Sequence, residues 1–231
     1  MISTGTTPQL LKIPPLENGD KLTRAEFERR YHAMPNLKKA ELIEGVVYLA
    51  SPLRIKSHGE PHAYIMAWLG TYKAATTGVG FADNTTVLLD ADNEPQPDAL
   101  LRIEQSGQTL ITEDDYLEGA PELIVEIAAS SASYDLHEKL KVYRRNGVQE
   151  YLVWRVYDRD FDWFRLNEGE YIKLETNSNG IVCSQVFPGL WLDKAALLSG
   201  NLAKVLAVLQ QGLSTPEHQS FVDKISIERQ M

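Results

Sequence analysis

One cysteine, Cys183, stands in 231 residues, so no intramolecular disulfide is available and packing alone must hold the fold. Such usage suits a reducing compartment, and the position of Cys183 between Val182 and Val186 assigns it to the core. No apolar run approaches the roughly 18 residues that a membrane span requires. The opening MISTGTTPQL lacks the charged region and apolar stretch of a signal peptide. The expectation is a soluble, cytoplasmic protein with no membrane partner. Positive charge is also in short supply: 23 Lys and Arg against 32 Asp and Glu leave a formal net charge of −9. This balance excludes a protein that coats nucleic acid by broad electrostatics. It leaves room for an enzyme that meets phosphate at one local site, provided a basic patch or a metal ion offsets the repulsion. A glycine-rich phosphate loop with its lysine is missing, and so is zinc-ribbon cysteine spacing.

What is present is an ordinary globular balance, 43% hydrophobic and 24% charged, enough to bury a sizeable core. Residues 1–20 carry Pro8, Pro14, Pro15, Gly5 and Gly19 without periodicity and read as a flexible arm. Thr23 and Glu26 form a capping box for a short helix with Leu22, Phe27 and Tyr31 on its apolar face. AELIEGVVYLA is a hairpin turning at Glu44-Gly45. Glu60 to about Ala75 is helical. Strands are expected at 85–90 and 97–103, then a polar loop at 106–120 with one helical turn near Asp114. PELIVEIA (121–128) is a strand, and Ser133 or Asp135 caps a helix that Gly147 ends. EYLVWRV (150–156), FDWFRL, EYIKLET and IVCSQVF are read as strands, the later ones an antiparallel meander. After Asp193 the chain is helical, and from Ser214 it is polar and loose.

Strand 121–128 sets the architecture. Leu123, Val125 and Ile127 lie on one face, and Ile124 and Ala128 flank Glu126 on the other. A strand apolar on both faces belongs at the centre of a sheet covered by helices. With the helix that follows and strand 150–156 it makes a β-α-β unit and a parallel pair. The fold class is therefore α/β, a mixed central sheet flanked by helices with an antiparallel C-terminal meander. The parts are an arm (1–20), one domain (21–193) and a helical tail (194–231), the tail serving as an appendage or as a homo-oligomer contact.

Glu126 is the chemical oddity. A carboxylate in an apolar strand must be paired, protonated or metal-bound, and a structural ion pair is the plain alternative. Asp98 shifts the balance, because it opens the neighbouring apolar strand directly after Pro97. Two carboxylates on adjacent strands can converge on one divalent cation, and Mg²⁺ takes one or two carboxylates with water and phosphate oxygens. That arrangement suits phosphodiester hydrolysis. A fixed cation should accompany it, but the same-face position two residues beyond Glu126 is Ala128. The next helix offers Lys139 and Lys141. At about 100° per residue, Leu136, Leu140 and Tyr143 cluster on the buried face with Lys139 at its edge, while Lys141 points to solvent. Lys139 either reaches back to the sheet or snorkels along the apolar face. His58 and His62 are four apart, but HGEPH is not the HExxH of a zinc helix. Glu113-Asp114-Asp115 reads as a solvated turn, and Arg144 and Arg145 suit the negative end of a helix.

The ordered series ELIEG, HG, PD, PELIVEI, DLHEKLKVY, GVQEYLVW and FPGLWLD resembles the Uma2 (DUF820) family of restriction-endonuclease-like proteins, from about Lys38 to Asp193. The resemblance implies the PD-(D/E)XK nuclease fold and divalent-metal nuclease chemistry. Asp98 and Glu126 then match the motif carboxylates, metal-binding and catalytic, with Mg²⁺ or Mn²⁺ as cofactor. Ala128 replaces the strand lysine, and the family's helix lysine matches Lys139 as the third catalytic residue. Glu41 matches a recurrent acidic position and becomes a further metal ligand, or else a strand-edge surface residue. His58 occupies the family's HG position, near the site entrance or simply at a helix start. The implied activity is a metal-dependent endonuclease acting on nucleic acid, DNA before RNA. The alternative is a catalytically inactive binding or assembly module on the same fold.

Overall fold

The computed structural model describes residues 13–129 and 134–228. Helix α1 (Arg24–His32) opens the domain, with the Thr23 hydroxyl accepting from the Glu26 N–H. The Glu26 carboxylate turns to Arg29 and Arg30 rather than back to the cap. β1 (Ala40–Ile43) and β2 (Val46–Leu49) pair through the two-residue turn Glu44-Gly45. Both turn residues have positive φ, 52° and 70°, the conformation that matches strand twist in a tight hairpin. A π-helical turn (Ile55–Gly59) leads into α2 (Glu60–Ala75), which buries Ile65, Trp68, Leu69 and Tyr72.

Six strands form the central sheet: β3 (Val79–Ala82), β5 (Ala99–Ile103), β8 (Leu123–Ala128), β9 (Glu150–Arg155), β10 (Asp160–Asn167) and β11 (Glu170–Lys173). Their spatial order is β11-β10-β9-β8-β5-β3. β8 and β9 are parallel, and every other neighbouring pair is antiparallel. A second π-helical turn (Asp135–Lys139) and α3 (Leu140–Arg145) make the crossover between β8 and β9. Gly147 follows at φ 84°, as a helix stop requires. The mixed sheet and the β-α-β unit are as expected from the two apolar faces of 121–128.

Those faces feed two cores. Leu123, Val125 and Ile127 pack with α2 and with Leu197, Val205, Leu209 and Ile225 from the C-terminal helices. Ile124 and Ala128 pack with Val142 and Tyr143 of α3 and with Ile43 and Val87. A third, smaller cluster sits between α1 and the hairpin around Phe27, Leu42 and Val47. β4 (Val87–Leu88), β6 (Leu110–Ile111) and β7 (Leu117–Glu118) form a separate small sheet.

Four expectations need correction. Residues 1–12 lie outside the described residues, but 13–20 are not free: Leu16 is buried and the Gly19 N–H donates to the Val47 carbonyl at 2.8 Å. The loop at 106–120 has no helical turn at Asp114. The Thr112 side chain accepts from the Tyr116 N–H and Asp115 takes φ 64°, which closes a tight link between β6 and β7. β12 (Ile181–Cys183) leaves the meander to pair with β13 (Trp191–Asp193). The cause is Glu150, which accepts from the Ser184 hydroxyl and the Gln185 and Val186 N–H groups and so pins the 184–187 loop beneath the sheet. There Val182 takes the inward position and Cys183 is only half-buried.

The fourth correction concerns the chain end. α4 (Lys194–Leu198) and α5 (Leu202–Leu213) follow Asp193, whose carboxylate caps α4. α6 (Pro216–Glu228) then replaces the loose segment expected from Ser214. Its inward positions are His218, Phe221, Val222 and Ile225, a spacing of three, four and seven that marks an amphipathic helix. The His218 ring lies 3.0 Å from the Thr76 hydroxyl. No helix among the described residues is long and apolar enough to cross a membrane.

Candidate active site

β5 and β8 bring the first two carboxylates together. Their register pairs Ala99 with Val125, so one step further sets Asp98 beside Glu126. Both side chains are buried, at 5% and 4% exposure. Asp98 Oδ2 accepts from the Ile127 N–H at 2.7 Å. Its Oδ1 lies 3.2 Å from His58 Nε2 and 3.6 Å from Lys39 Nζ. Burial would raise the Asp98 pKa, but the His58 hydrogen bond, the Lys39 charge and the Ile127 N–H together hold it down at about 2. The carboxylate is therefore ionised at neutral pH. His62 adds a contact to the Asp98 carbonyl at 2.8 Å.

Lys139 enters from the second π-helical turn, buried at 3% exposure. Its ammonium donates to Glu126 Oε1 at 2.8 Å and to Glu41 Oε1 at 2.9 Å. The Tyr143 hydroxyl donates to the same Glu126 oxygen at 2.8 Å. Burial first, and then the Glu126 and Glu41 charges, push the Tyr143 pKa well above its ordinary value, so it remains a donor. Glu41 Oε1 also accepts from the Gln96 N–H at 2.8 Å. That bond exists because β1 runs against the 93–96 segment, Leu42 and Glu94 exchanging both backbone hydrogen bonds. The Tyr134 ring centroid lies 5.7 Å from the Lys139 ammonium, within cation-π range.

The hairpin, the sheet and the crossover thus bring Glu41, Glu126 and Lys139 into one buried polar cluster, with Asp98 at the adjacent strand position. Lys141 lies outside it, exposed and paired with Glu138. Arg145 reaches Glu44 and Asp90, and Arg144 pairs with Glu170. Ser133 lies outside the described residues. Sequence reasoning did not find Lys39, Gln96 or the hydrogen-bonding role of Tyr143. Tyr143 carried a signal, since its helical phase places it inward beside Lys139. Lys39 and Gln96 carried none, because each joins the cluster through a contact distant in the chain.

The donors are hard oxygens, which suits Mg²⁺ or Mn²⁺ rather than a thiolate or imidazole cage. Among the described residues no three His, Cys, Asp or Glu side chains are grouped to hold a metal by themselves. Any cation bound there would have to draw most of its ligands from water and substrate oxygens.

A mixed sheet with a central parallel pair, an acidic pair at the β5–β8 step and a lysine from the crossover helix define a restriction-endonuclease-like protein. The chain belongs to the Uma2 family, described as "Putative restriction endonuclease", whose profile matches residues 24–195. Among solved structures it is similar to one titled as "a putative nuclease belonging to DUF820" from Anabaena variabilis. That likeness has a TM-score of 0.56 at 14% identity and covers 74% of this chain and 97% of the other. No curated protein matches the chain.

Proposed function

We propose that this protein is a metal-dependent endonuclease that hydrolyses phosphodiester bonds of nucleic acid, with DNA as its substrate. The observation that carries the reading is the pairing of Glu126, buried in a central strand, with Lys139 from the following helix, one strand from the ionised Asp98. A purely structural ion pair does not call for a second carboxylate at the adjacent strand position. Asp98 and Glu126 are the residues to hold Mg²⁺ or Mn²⁺, and Glu41 is a further candidate ligand. A divalent cation there would supply Lewis acidity toward a phosphoryl oxygen and lower the pKa of bound water.

The chain's own side chains have distinct tasks. His58, Lys39 and the Ile127 N–H keep Asp98 ionised and oriented. Tyr143 fixes the Glu126 carboxylate. Lys139 places a positive charge between Glu126 and Glu41 in a site largely closed to water, where it can orient the attacking water and offset charge developing on phosphorus. Cleavage of single- and double-stranded DNA and of RNA should be measured in Mg²⁺ and in Mn²⁺, with Asp98→Ala and Lys139→Ala as controls. The expected result is metal-dependent DNA cleavage reduced at least about a hundredfold in either variant. Cleavage unchanged in both would sink the assignment. Calorimetric titration with Mn²⁺ separates this reading from a catalytically inactive module, for which no heat dependent on Asp98 and Glu126 is expected.

A further inference from the structure

Two large apolar side chains stand in the open where a short loop runs into the first π-helical turn: Leu53, on the loop, is 69% exposed, and Ile55, the first residue of the turn, 67%. They alternate with Arg54 and Lys56, also exposed, and Pro52 precedes them. Exposed apolar side chains gathered in one place mark a contact surface. This loop is tied beside the candidate site at both ends. At its start the Ala50 N–H donates to the carbonyl of Lys39, whose ammonium is 3.6 Å from Asp98. At its end the Arg54 carbonyl accepts from the N–H groups of His58 and Gly59, and His58 touches Asp98. The segment therefore leaves the fold at one neighbour of the Asp98 carboxylate and returns at the other.

We infer that residues 52–56 form a wedge that enters the groove of duplex DNA beside Asp98, Leu53 and Ile55 against the bases and Arg54 on a flanking phosphate. The inference rests on the nuclease reading of that site. A partner must offer apolar faces and negative charge at alternating positions, and a duplex does so with base steps and phosphates. Leucine, isoleucine and proline are among the side chains that open base steps in this way. Lys38 and Lys39 extend the positive charge past the near end of the loop, with Lys38 exposed and Lys39 half-buried. Lys56 is drawn toward Glu60 at 2.7 Å, so Arg54 is the principal phosphate contact. In a chain of net charge −9, such a local patch lowers the repulsion that a polyanion would meet beside Asp98.

The test uses the full chain, without divalent metal, and a duplex carrying 2-aminopurine at successive steps. The wild type should bind and raise 2-aminopurine fluorescence at one step. Replacing Leu53 and Ile55 together by Ser should weaken binding about tenfold and abolish that rise, with the salt dependence unchanged. Arg54→Ala should instead lower the slope of log affinity on log salt by about 1. A wild type that ignores duplex, or a Ser double variant that binds and unstacks like the wild type, overturns the wedge. So does binding of the wild type to phosphatidylserine vesicles and not to duplex. Cleavage in Mg²⁺ is scored separately: duplex cleaved with no dependence on Leu53 and Ile55 removes the wedge alone, and unstacking without cleavage removes the nuclease reading alone.

Discussion

Lys139 is the residue on which the electrostatics of the cluster turn. Its ammonium is shared by Glu41 and Glu126, and all three side chains are buried. Removing the cation leaves two carboxylates without their common partner, and breaking a buried pair in this way costs about 3 kcal/mol or more. Lys139→Ala should therefore lose that much in urea denaturation without metal, and adding Glu41→Gln should recover at least about 1 kcal/mol. Equal stability of wild type and Lys139→Ala would mean that the carboxylates do not depend on it. Glu94 behaves in the opposite sense to Asp98. Burial, reinforced by the charge of Glu28, pushes its pKa from 4.5 to about 8, against the pull of Arg24. The folded state then holds a proton that the unfolded chain releases, so stability falls as pH rises from 4.5 to 8. Glu94→Gln has no such group and should gain on the wild type between pH 5 and pH 9 in paired thermal melts. A constant difference across that range would refute the assignment. For Asp98, held near 2, stability is instead lost as pH falls below 3.8. At this scale Asp98 and Glu126 were legible in the sequence, because a charge in an apolar strand is visible without coordinates. Lys39, Gln96 and Glu94 were not, because their surroundings are assembled from residues far away in the chain.

Among the elements, the two π-helical turns have a shared position. Ile55–Gly59 presents His58 and Asp135–Lys139 presents Lys139, and each precedes an α-helix. Single π turns occur often at functional sites. The 100° spacing of an α-helix put Lys139 only at the margin of the buried face, whereas the structure buries it fully. A wider turn changes the phase of the side chains that follow, and the sequence pattern does not announce it. β12 was misplaced for a comparable reason, since the Glu150 carboxylate that redirects its loop lies a strand away. The docking of α5 depends on a close backbone approach. A Cβ on Gly212 would stand 2.2 Å from the Gly189 carbonyl oxygen and 2.8 Å from Trp191 Cγ, and Gly189 itself has φ 85°. Gly212→Ala should thus cost about 1–3 kcal/mol. Gly70→Ala in α2 meets only ordinary contact with Phe81 at 3.5 Å and should be neutral or slightly stabilising. Equal denaturation midpoints for the two variants would contradict this account of the α5 contact.

Across the whole molecule, the sheet has no face to spare. One side of β8 needs Val205, Leu209 and Ile225 to complete its cover, and all three lie beyond Asp193. A chain ending at Asp193 should lose near-ultraviolet circular dichroism and bind hydrophobic dyes. A cooperative unfolding transition in that truncated chain would show that 21–193 is self-sufficient. The double apolar face of 121–128 made the α/β class readable, but the shortage of cover was hidden, because it depends on which helices reach which side. The cluster also has a timetable. Lys39 and Glu41 meet Asp98 and Lys139, the last of these 98 positions after Glu41, and the parallel pairing of β8 waits for β9 at 150–155. On a ribosome the Lys39–Asp98 contact waits for residue 98, the Lys139 contacts for residue 139 and the β8 pairing for residues 150–155, and the helices beyond Asp193 must follow before the sheet is covered. A site built this way is assembled late, from the hairpin, the sheet and the crossover together, and no early stretch of the chain carries it alone.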